Sequence, residues 1–372
     1  MQVLRKNGLI SASSPGKILL LGGYMVLFPQ YSGVVLQTKP RIETTIGPGT
    51  IPSNIEVVSK NLNAKFQFKT NTLRLDKRNN PYVEFALKTS LQAAEALKPA
   101  SHSELTVRDF TAHLDIVGHP SFYLGGKTGL GSSSAVISSI VGSVLNHFGV
   151  TDIAVTHLVS QVAHSLAQNK IGSGFDIACC VLGSQIYKRF DRNLFSQVLR
   201  SEGLDPESLG KLLTHRNWSE FTPYSLPAKY SVNLHKTGSG SDTKKFTTTF
   251  LSWINANPKD GNLIFEDMKQ VHEKILKGLE GDDIPELKKL FKENLKLLSK
   301  LGKLSGADIV PETVKESVLT ILSQDTPVLA GVPGAGGFDA IYTITKKDSH
   351  SSTIEKLSQS MPDLTLMEED VV

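Results

Sequence analysis

The stretch from Gly125 to Ala135 (GGKTGLGSSSA), which leads directly into an apolar, periodic segment over 136–148, most constrains what this chain can fold into. Glycines let the backbone approach a ligand and turn its N–H groups inward, and the N-terminus of the following helix adds partial positive charge. Such a stretch suits a phosphate. Taken alone, it is also typical of a small-residue turn followed by a serine-rich helix cap.

The two commonest phosphate-binding motifs do not describe this stretch. In the Walker pattern the first glycine would fall at Ser121, and in the G-x-G-x-x-G pattern the third glycine would fall at Ser134. The sequence therefore predicts a nucleotide-binding fold of another kind.

Composition limits the partners. The chain has 372 residues, 40% of them hydrophobic and 20% charged, which is globular composition and enough for two domains. Its net charge of +4, without a Lys/Arg block interleaved with aromatics, argues against nucleic acid and suits a small anionic ligand. No apolar run reaches membrane-spanning length, so we expect no membrane partner.

The chain contains only two cysteines, Cys179 and Cys180, which are adjacent within an apolar run. Neighbouring cysteines make a poor disulfide, and two cysteines make no zinc site. We therefore expect buried thiols in a reducing compartment and a cytoplasmic location.

Periodicity outlines the organisation of the chain. Leu9 to Leu21 predicts a strand, a loop and a second strand, and short alternating segments follow between residues 41 and 68. Helical spacing predicts helices over 81–97, 153–168, 244–255, 263–279, 285–301 and 311–323. The polar stretch from Leu194 to Pro227 reads as irregular and marks the best candidate for a domain junction. We place the domains at residues 1–222 and 223–372.

Two further glycine-rich loops accompany the first. One spans Gly172 to Asp176 and the other Gly331 to Asp339, and Pro15-Gly16-Lys17 lies near the start of the chain. In chain order, Ser14 to Lys17, Lys127 to Ala135 and Gly331 to Asp339 resemble the three motifs of the GHMP kinase superfamily. Their flanking residues, together with Gln168 to Asp176 and Ser305 to Ile309, resemble the eukaryotic-type phosphomevalonate kinases.

This resemblance implies an α+β, two-domain GHMP kinase fold. The N-terminal domain would resemble domain 2 of ribosomal protein S5, the C-terminal domain would be ferredoxin-like, and the active site would lie in the cleft between them. The implied reaction transfers the γ-phosphoryl group of ATP to 5-phosphomevalonate, giving 5-diphosphomevalonate in the mevalonate pathway of isoprenoid and sterol synthesis. The protein would act as a monomer or homodimer.

The resemblance also assigns roles to residues. Lys17 and Asp176 would be catalytic. ATP would be bound by Lys127, Gly129, Leu130, Gly131, Ser132, Ser133 and Ser134. The acceptor would be bound by Lys170, Ser173 and Gly336. Asp308 and Asp339 could serve either the fold or the substrate, and the sequence does not choose between these roles.

Magnesium coordination departs from the pattern of mevalonate kinases, which carry a glutamate eleven residues before the catalytic aspartate. Here that position is Ser165, and no acidic residue occurs between Thr156 and Phe175. We therefore expect Mg²⁺ to be held by ATP oxygens, water and the Ser133 hydroxyl.

Two alternatives are another small-molecule kinase of the superfamily, such as mevalonate kinase, and a catalytically inactive binding protein with the same fold. Ser165 and Lys170 argue against the first. Retention of the loop glycines, Lys17 and Asp176 argues against the second.

A phosphate acceptor changes what the site must do. Its second pKa is about 6, so its oxygens are largely ionised near neutral pH and need little help from a general base. Repulsion between two polyanions is then the main obstacle. We predict that Lys17, Lys127 and Lys170 contribute more than Asp176 does as a base, and that Asp176 mainly orients Lys17. His157 and His164, without an H-E-x-x-H pattern, are predicted to be packing or exposed residues.

Overall fold

The structure, a computed structural model, describes residues 1–61, 63–76, 80–97, 106–123, 129–200, 203–204, 206–215, 218–237, 243–361, 364–368 and 371–372. The strands, in chain order, are β1 Gln2–Lys6, β2 Leu9–Leu21, β3 Ser32–Pro48, β4 Asn54–Ser59, β5 Ala64–Lys69, β6 Arg74–Leu75, β7 Ala112–Gly118, β8 Gln185–Lys188, β9 Leu199–Arg200, β10 Gly203–Leu204, β11 Thr222–Pro223, β12 Tyr230–Lys236, β13 Val328–Gly331, β14 Ala340–Lys346 and β15 Thr365–Glu368.

The α-helices are α1 Pro81–Leu97, α2 Ser132–His147, α3 Ile153–Gln168, α4 Phe175–Leu182, α5 Arg192–Val198, α6 Pro206–Thr214, α7 Thr243–Ala256, α8 Pro258–Gly281, α9 Ile284–Ser305, α10 Glu312–Ser323 and α11 His350–Ser360. Short 3₁₀ turns occur at Met25–Leu27, Pro120–Phe122 and Lys347–Ser349.

The N-terminal part of the chain forms one large sheet covered by helices. Its strand order is β1-β2-β3-β7-β4-β5-β6, with β8 beside β3 and β11 beside β8. The β4–β7 pair is parallel, and the other pairs are antiparallel. Helices α2 and α4 pack on β2 and β3. Helix α2 approaches the sheet closely because its inner face carries small side chains, and Ser139 Oγ lies 2.8 Å from Thr44 Oγ1.

The C-terminal part forms a second, fully antiparallel sheet in the order β13-β14-β12-β15. Along the chain, the strands follow a β-α-β-β-α-β order, in which α7 to α10 follow β12 and α11 precedes β15. This order and strand arrangement are those of a ferredoxin-like sheet. The predicted α+β class is confirmed. The domain division between residues 222 and 223 stays a prediction.

The predicted strand–loop–strand over Leu9 to Leu21 is wrong, because β2 runs through it as one strand of 13 residues. Pro15 has no N–H to donate to a ladder, and the pairing with β3 shifts register between Pro15 and Lys17. The chain therefore absorbs the Pro-Gly pair as an irregularity within the strand.

The prediction that Leu194 to Pro227 is irregular is also wrong, whereas its assignment as a domain junction stays a prediction. This stretch contains part of α5, all of α6 and an aromatic cluster in which Phe195 stacks on Phe190 with ring centroids 4.3 Å apart. Trp218 completes the cluster, and its ring centroid lies 4.5 Å from that of His157. The stretch is mostly polar, so its composition gave no signal for these few buried aromatic residues.

Backbone hydrogen bonds join the two sheets. Gly334 N–H donates to Leu19 O at 3.0 Å, so the third glycine loop is bonded to β2. At the far end of the chain, Val371 N–H donates to Val232 O at 2.7 Å, and Val371 O accepts from Lys39 N–H at 2.7 Å. These bonds connect the two sheets at separate points along the chain.

Replacing Phe195 with alanine should lower the free energy of unfolding by about 3–5 kcal/mol, because its ring is fully buried against two other aromatic rings. Urea unfolding measures this. Phe221→Ala is the matched control, since that ring is 44% exposed and should cost less than about 1 kcal/mol. Equal losses in the two variants would contradict the packing described here.

Acidification should destabilise the fold through its buried histidines. Burial lowers the pKa of His157 to about 3 and the pKa of His235 and His272 to about 4. The unfolded chain binds these protons near pH 6.5, so stability is full above that pH and falls as the pH drops below it. The expected loss is roughly 1.4 kcal/mol per pH unit for each histidine.

Urea unfolding at pH 7.5 and 5.5 measures this loss. His272→Gln, in which the amide can still donate to Asn294 Oδ1, should weaken the pH dependence, whereas the exposed control His215→Gln should leave it unchanged. Stability independent of pH in this range would contradict the prediction.

Candidate active site

A cleft of about 1030 Å³ brings the three glycine motifs together. Its wall includes Lys17 from β2, Gly129 before α2, Asp176 in the first turn of α4 and Gly336 from the third loop. Lys170 and Ser173 line the same cleft. A volume of this size suits a nucleotide and a small acceptor together.

Lys17 is held by the loop that precedes α2. Its backbone N–H donates to Leu130 O at 2.8 Å, and its ammonium donates to Gly129 O at 2.7 Å. The ammonium also lies 5.4 Å from the centroid of the Phe175 ring. Burial lowers the pKa of Lys17, and the negative charge of Asp176 opposes that fall. A half-buried cation therefore stands at the start of the helix.

The N-terminus of α2 is shaped by Gly131, which caps the helix in a left-handed conformation with φ 78°. A Cβ there would lie 2.8 Å from Cε of Lys17, so the close approach requires glycine. Leu130 and Ser134 are buried, and the Ser134 hydroxyl donates to Gly131 O at 2.7 Å. Any ligand at this helix end therefore meets backbone N–H groups rather than these two side chains. Lys127 lies outside the described residues.

Asp176 is bound by groups other than Lys17. Its Oδ1 accepts from the N–H of Ile177 at 3.0 Å, and its Oδ2 lies 3.7 Å from Nδ1 of His164. The Lys17 ammonium bonds to a carbonyl instead, so the two predicted catalytic residues interact through space. His164 is buried beside the carboxylate, and burial lowers its pKa. The prediction that it serves only packing or solvent exposure missed this contact.

The loop before α4 is fixed through its carbonyl groups. Tyr187 OH donates to Ser173 O at 2.6 Å, Gln161 donates to Gly174 O at 2.7 Å, and Arg189 donates to Gly172 O at 2.5 Å. Arg189 also donates to the carbonyl of Leu27, across the cleft wall. Lys170 is exposed at the rim of this loop.

The third loop is packed against the backbone of another segment. Gly337 N–H donates to Ile309 O at 2.9 Å, and a Cβ on Gly336 would lie 2.0 Å from that same oxygen. Tyr24 OH donates to Ala335 O at 2.9 Å, from the opposite side. Gly336 therefore has a steric role, whatever its contact with substrate.

Sequence reasoning missed several side chains that line the cleft: His164, Gln168, Arg189, Arg192, Asn193, Thr247 and Asn255. Gln168 and His164 lie one helical turn apart, and this spacing was the available signal. The other five carried none, since they stand outside any glycine-rich motif.

Mg²⁺ finds limited protein donors here. Within the described ranges, no group of three His, Cys, Asp or Glu residues is placed to hold a metal ion. The Ser133 hydroxyl lies 3.5 Å from Nε2 of His164, and Asp176 lies beside the other nitrogen of that ring. The Ser133 hydroxyl is a hard oxygen donor of the kind Mg²⁺ accepts when phosphates and water complete its shell.

Two other predictions can be compared with the structure. Cys179 and Cys180 are buried, free thiols, as predicted. No helix in the described part of the chain is long and apolar enough to span a membrane.

Comparison with known proteins shows which family has a similar sequence. The family model described as the GHMP kinases N terminal domain matches residues 91–184. The phosphomevalonate kinase of Candida albicans is 30% identical, over 89% of this chain and 88% of the relative. The peroxisomal phosphomevalonate kinase of Arabidopsis thaliana is 27% identical, over 97% of this chain and 94% of the relative.

Among solved structures, Streptococcus pneumoniae phosphomevalonate kinase in complex with phosphomevalonate and AMPPNP superposes with a TM-score of 0.74. Its sequence identity is 17%, and the match covers 97% of this chain and 99% of that chain. At this identity, the likeness is one of fold.

Gly336→Ala should strain the third loop, and Gly334→Ala is its matched control. Both glycines have positive φ, at 73° and 64°, but a Cβ meets Ile309 O only at Gly336 and open space at Gly334. Each variant bears the left-handed cost of about 1–2 kcal/mol. The free energy of unfolding of the Gly336 variant, measured with urea, should fall by at least about 1 kcal/mol more, because the new Cβ would also break the hydrogen bond from Gly337 N–H to Ile309 O. Equal losses would contradict this packing.

Proposed function

This chain belongs to the phosphomevalonate kinases of the GHMP kinase superfamily, and we propose that it transfers the γ-phosphoryl group of ATP to 5-phosphomevalonate, giving ADP and 5-diphosphomevalonate. The main observation behind this proposal is that one cleft is lined by Lys17, the loop before α2, Asp176 and the third glycine loop. The product would feed isoprenoid and sterol synthesis.

The α2 N-terminus supports the proposed ATP site. Phosphoryl transfer depends on positioning and charge neutralisation more than on covalent chemistry. Backbone N–H groups from Gly129 to Ser134 would hold the β- and γ-phosphates, because the first N–H groups of a helix have no partner within it. Lys17 stands directly beside them, fixed by its bond to Gly129 O.

The acceptor phosphate would approach from the side of the second loop. Lys170 and Arg192 line that part of the cleft and supply positive charge against the repulsion between two polyanions. Asp176 would not need to remove a proton, since the acceptor is already ionised. Its negative charge would instead act through space on the Lys17 ammonium.

Mg²⁺ is part of the proposal. The Ser133 hydroxyl and the phosphate oxygens would hold it, and the bound ion would neutralise charge on those phosphates. Lys127, Ser173 and Gly336 remain proposed ligand contacts. A cytoplasmic location, a monomer or homodimer, and domains at 1–222 and 223–372 likewise remain proposals.

A coupled assay of ADP release with 5-phosphomevalonate, mevalonate and homoserine as separate acceptors tests the function. We expect turnover with 5-phosphomevalonate alone. Turnover with mevalonate instead would favour a mevalonate kinase. Absence of ADP release with all three, in a folded protein, would leave a binding protein of the same fold.

Lys17→Met should reduce kcat by at least about 100-fold, because it removes a half-buried cation beside the proposed phosphate site. Asp176→Asn should reduce kcat less, since a base is nearly superfluous for an ionised acceptor. Steady-state kinetics across pH compare the two, and thermal unfolding checks that both variants are folded. The charge argument fails if the Asn variant is far more damaged and the wild-type rate follows a single acidic ionisation.

A further inference from the structure

We infer that His164 and Gln168 form a positioning pair that holds the carboxylate of Asp176 in the cleft, an inference that rests on the proposed kinase function. Neither residue belongs to a glycine loop. Both lie on α3, one helical turn apart, and both line the cleft beside the start of α4.

The hydrogen bond between the two side chains fixes the tautomer of the imidazole. Nε2 of Gln168 lies 2.7 Å from Nε2 of His164. An amide nitrogen only donates, and a neutral imidazole has one N–H and one acceptor nitrogen. Nε2 of His164 is therefore the acceptor, and its proton is on Nδ1. That Nδ1–H faces Asp176 Oδ2, 3.7 Å away.

The opposite amide orientation would place the wrong group against the carboxylate. With the Gln168 carbonyl toward the ring, Nε2 of His164 would carry the proton and Nδ1 would present a lone pair to a negative charge. The orientation found places a positive N–H dipole there instead. A distance of 3.7 Å exceeds a hydrogen bond, so the contact is one of charge and dipole.

His164 is the side chain that the carboxylate faces. The other oxygen of Asp176 is bound by the adjacent N–H of Ile177, within the same helix. The Lys17 ammonium donates to Gly129 O. The orientation of the Asp176 side chain on α4 thus depends on the imidazole from α3.

Other elements also contribute neighbours to the ring. Ser133 from α2 places its hydroxyl 3.5 Å from Nε2, and the Tyr82 ring of α1 lies 6.2 Å away, centroid to centroid. Lys17 and Lys170 act on the ring as cations. Asp176 is the carboxylate beside Nδ1, so the tautomer has a direct effect on that carboxylate.

Three variants test the pair. Asparagine at His164 can keep an amide N–H near the position of Nδ1, whereas leucine keeps only volume. We expect His164→Leu to lower kcat by about 10- to 100-fold, because the Asp176 carboxylate would be misplaced. The KM for ATP and the KM for the acceptor should each change less than about threefold. His164→Asn should recover most of the loss. Gln168→Met, at a half-buried position, should lower kcat by about 3- to 10-fold.

The tautomer has its own readout. Proton–nitrogen correlation spectra of protein with ¹⁵N-labelled histidine, with the signal assigned by its loss in His164→Asn, should show the proton on Nδ1 in the wild type. Gln168→Met should move it at least partly to Nε2. A wild-type proton on Nε2 overturns the inference. So does His164→Leu with wild-type kcat, or His164→Asn no better than the leucine variant while both are folded.

The two proposals fail separately. A wild type that does not phosphorylate 5-phosphomevalonate contradicts the proposed function, and the spectra still report the tautomer. An active wild type with an unaltered tautomer in Gln168→Met contradicts the positioning pair alone.

Discussion

The hydrogen bond from the N–H of Lys17 to the carbonyl of Leu130 is the contact on which the site depends. It joins strand β2 of the large sheet to the loop that opens α2. Gly16 makes the approach possible, since a Cβ there would lie 2.9 Å from that carbonyl oxygen and 2.6 Å from Thr38 Oγ1. The register irregularity at Pro15 in β2 belongs to the same contact. A lysine and a helix N-terminus are thereby fixed to each other before any ligand binds.

Charge in the cleft is arranged by partners that are mostly backbone. The Lys17 ammonium is bonded to a carbonyl, and the carboxylate of Asp176 is flanked by a peptide N–H and an imidazole. The two opposite charges are therefore not neutralised by direct contact. Each can therefore act on charged ligand groups in the proposed site, where a low dielectric strengthens every interaction.

Local sequence signals predicted the glycine loops and most of the long helices, because each depends on residues close together in the chain. The α+β class was predicted from the family resemblance of the glycine-rich motifs. They did not predict that His164 faces Asp176. That contact requires two left-handed turns between α3 and α4, at Asn169 and Gly174, to reverse the chain by a specific amount. Arg189 was missed for a similar reason, since it reaches a carbonyl 162 residues away. Lys127 is the predicted ATP residue that lies outside the described residues.

The bond between Gly334 N–H and Leu19 O has a consequence for how the cleft can move. Leu19 is two residues from Lys17 on β2, roughly 7 Å along an extended strand. The spacing between Lys17 and the third glycine loop is therefore set by the backbone geometry of β2 between Lys17 and Leu19. Any movement of the cleft walls that keeps this bond leaves the lysine and the third glycine loop at the same spacing. The conformational entropy lost in aligning these two elements is therefore lost when the protein folds. Ligand binding does not have to order them a second time.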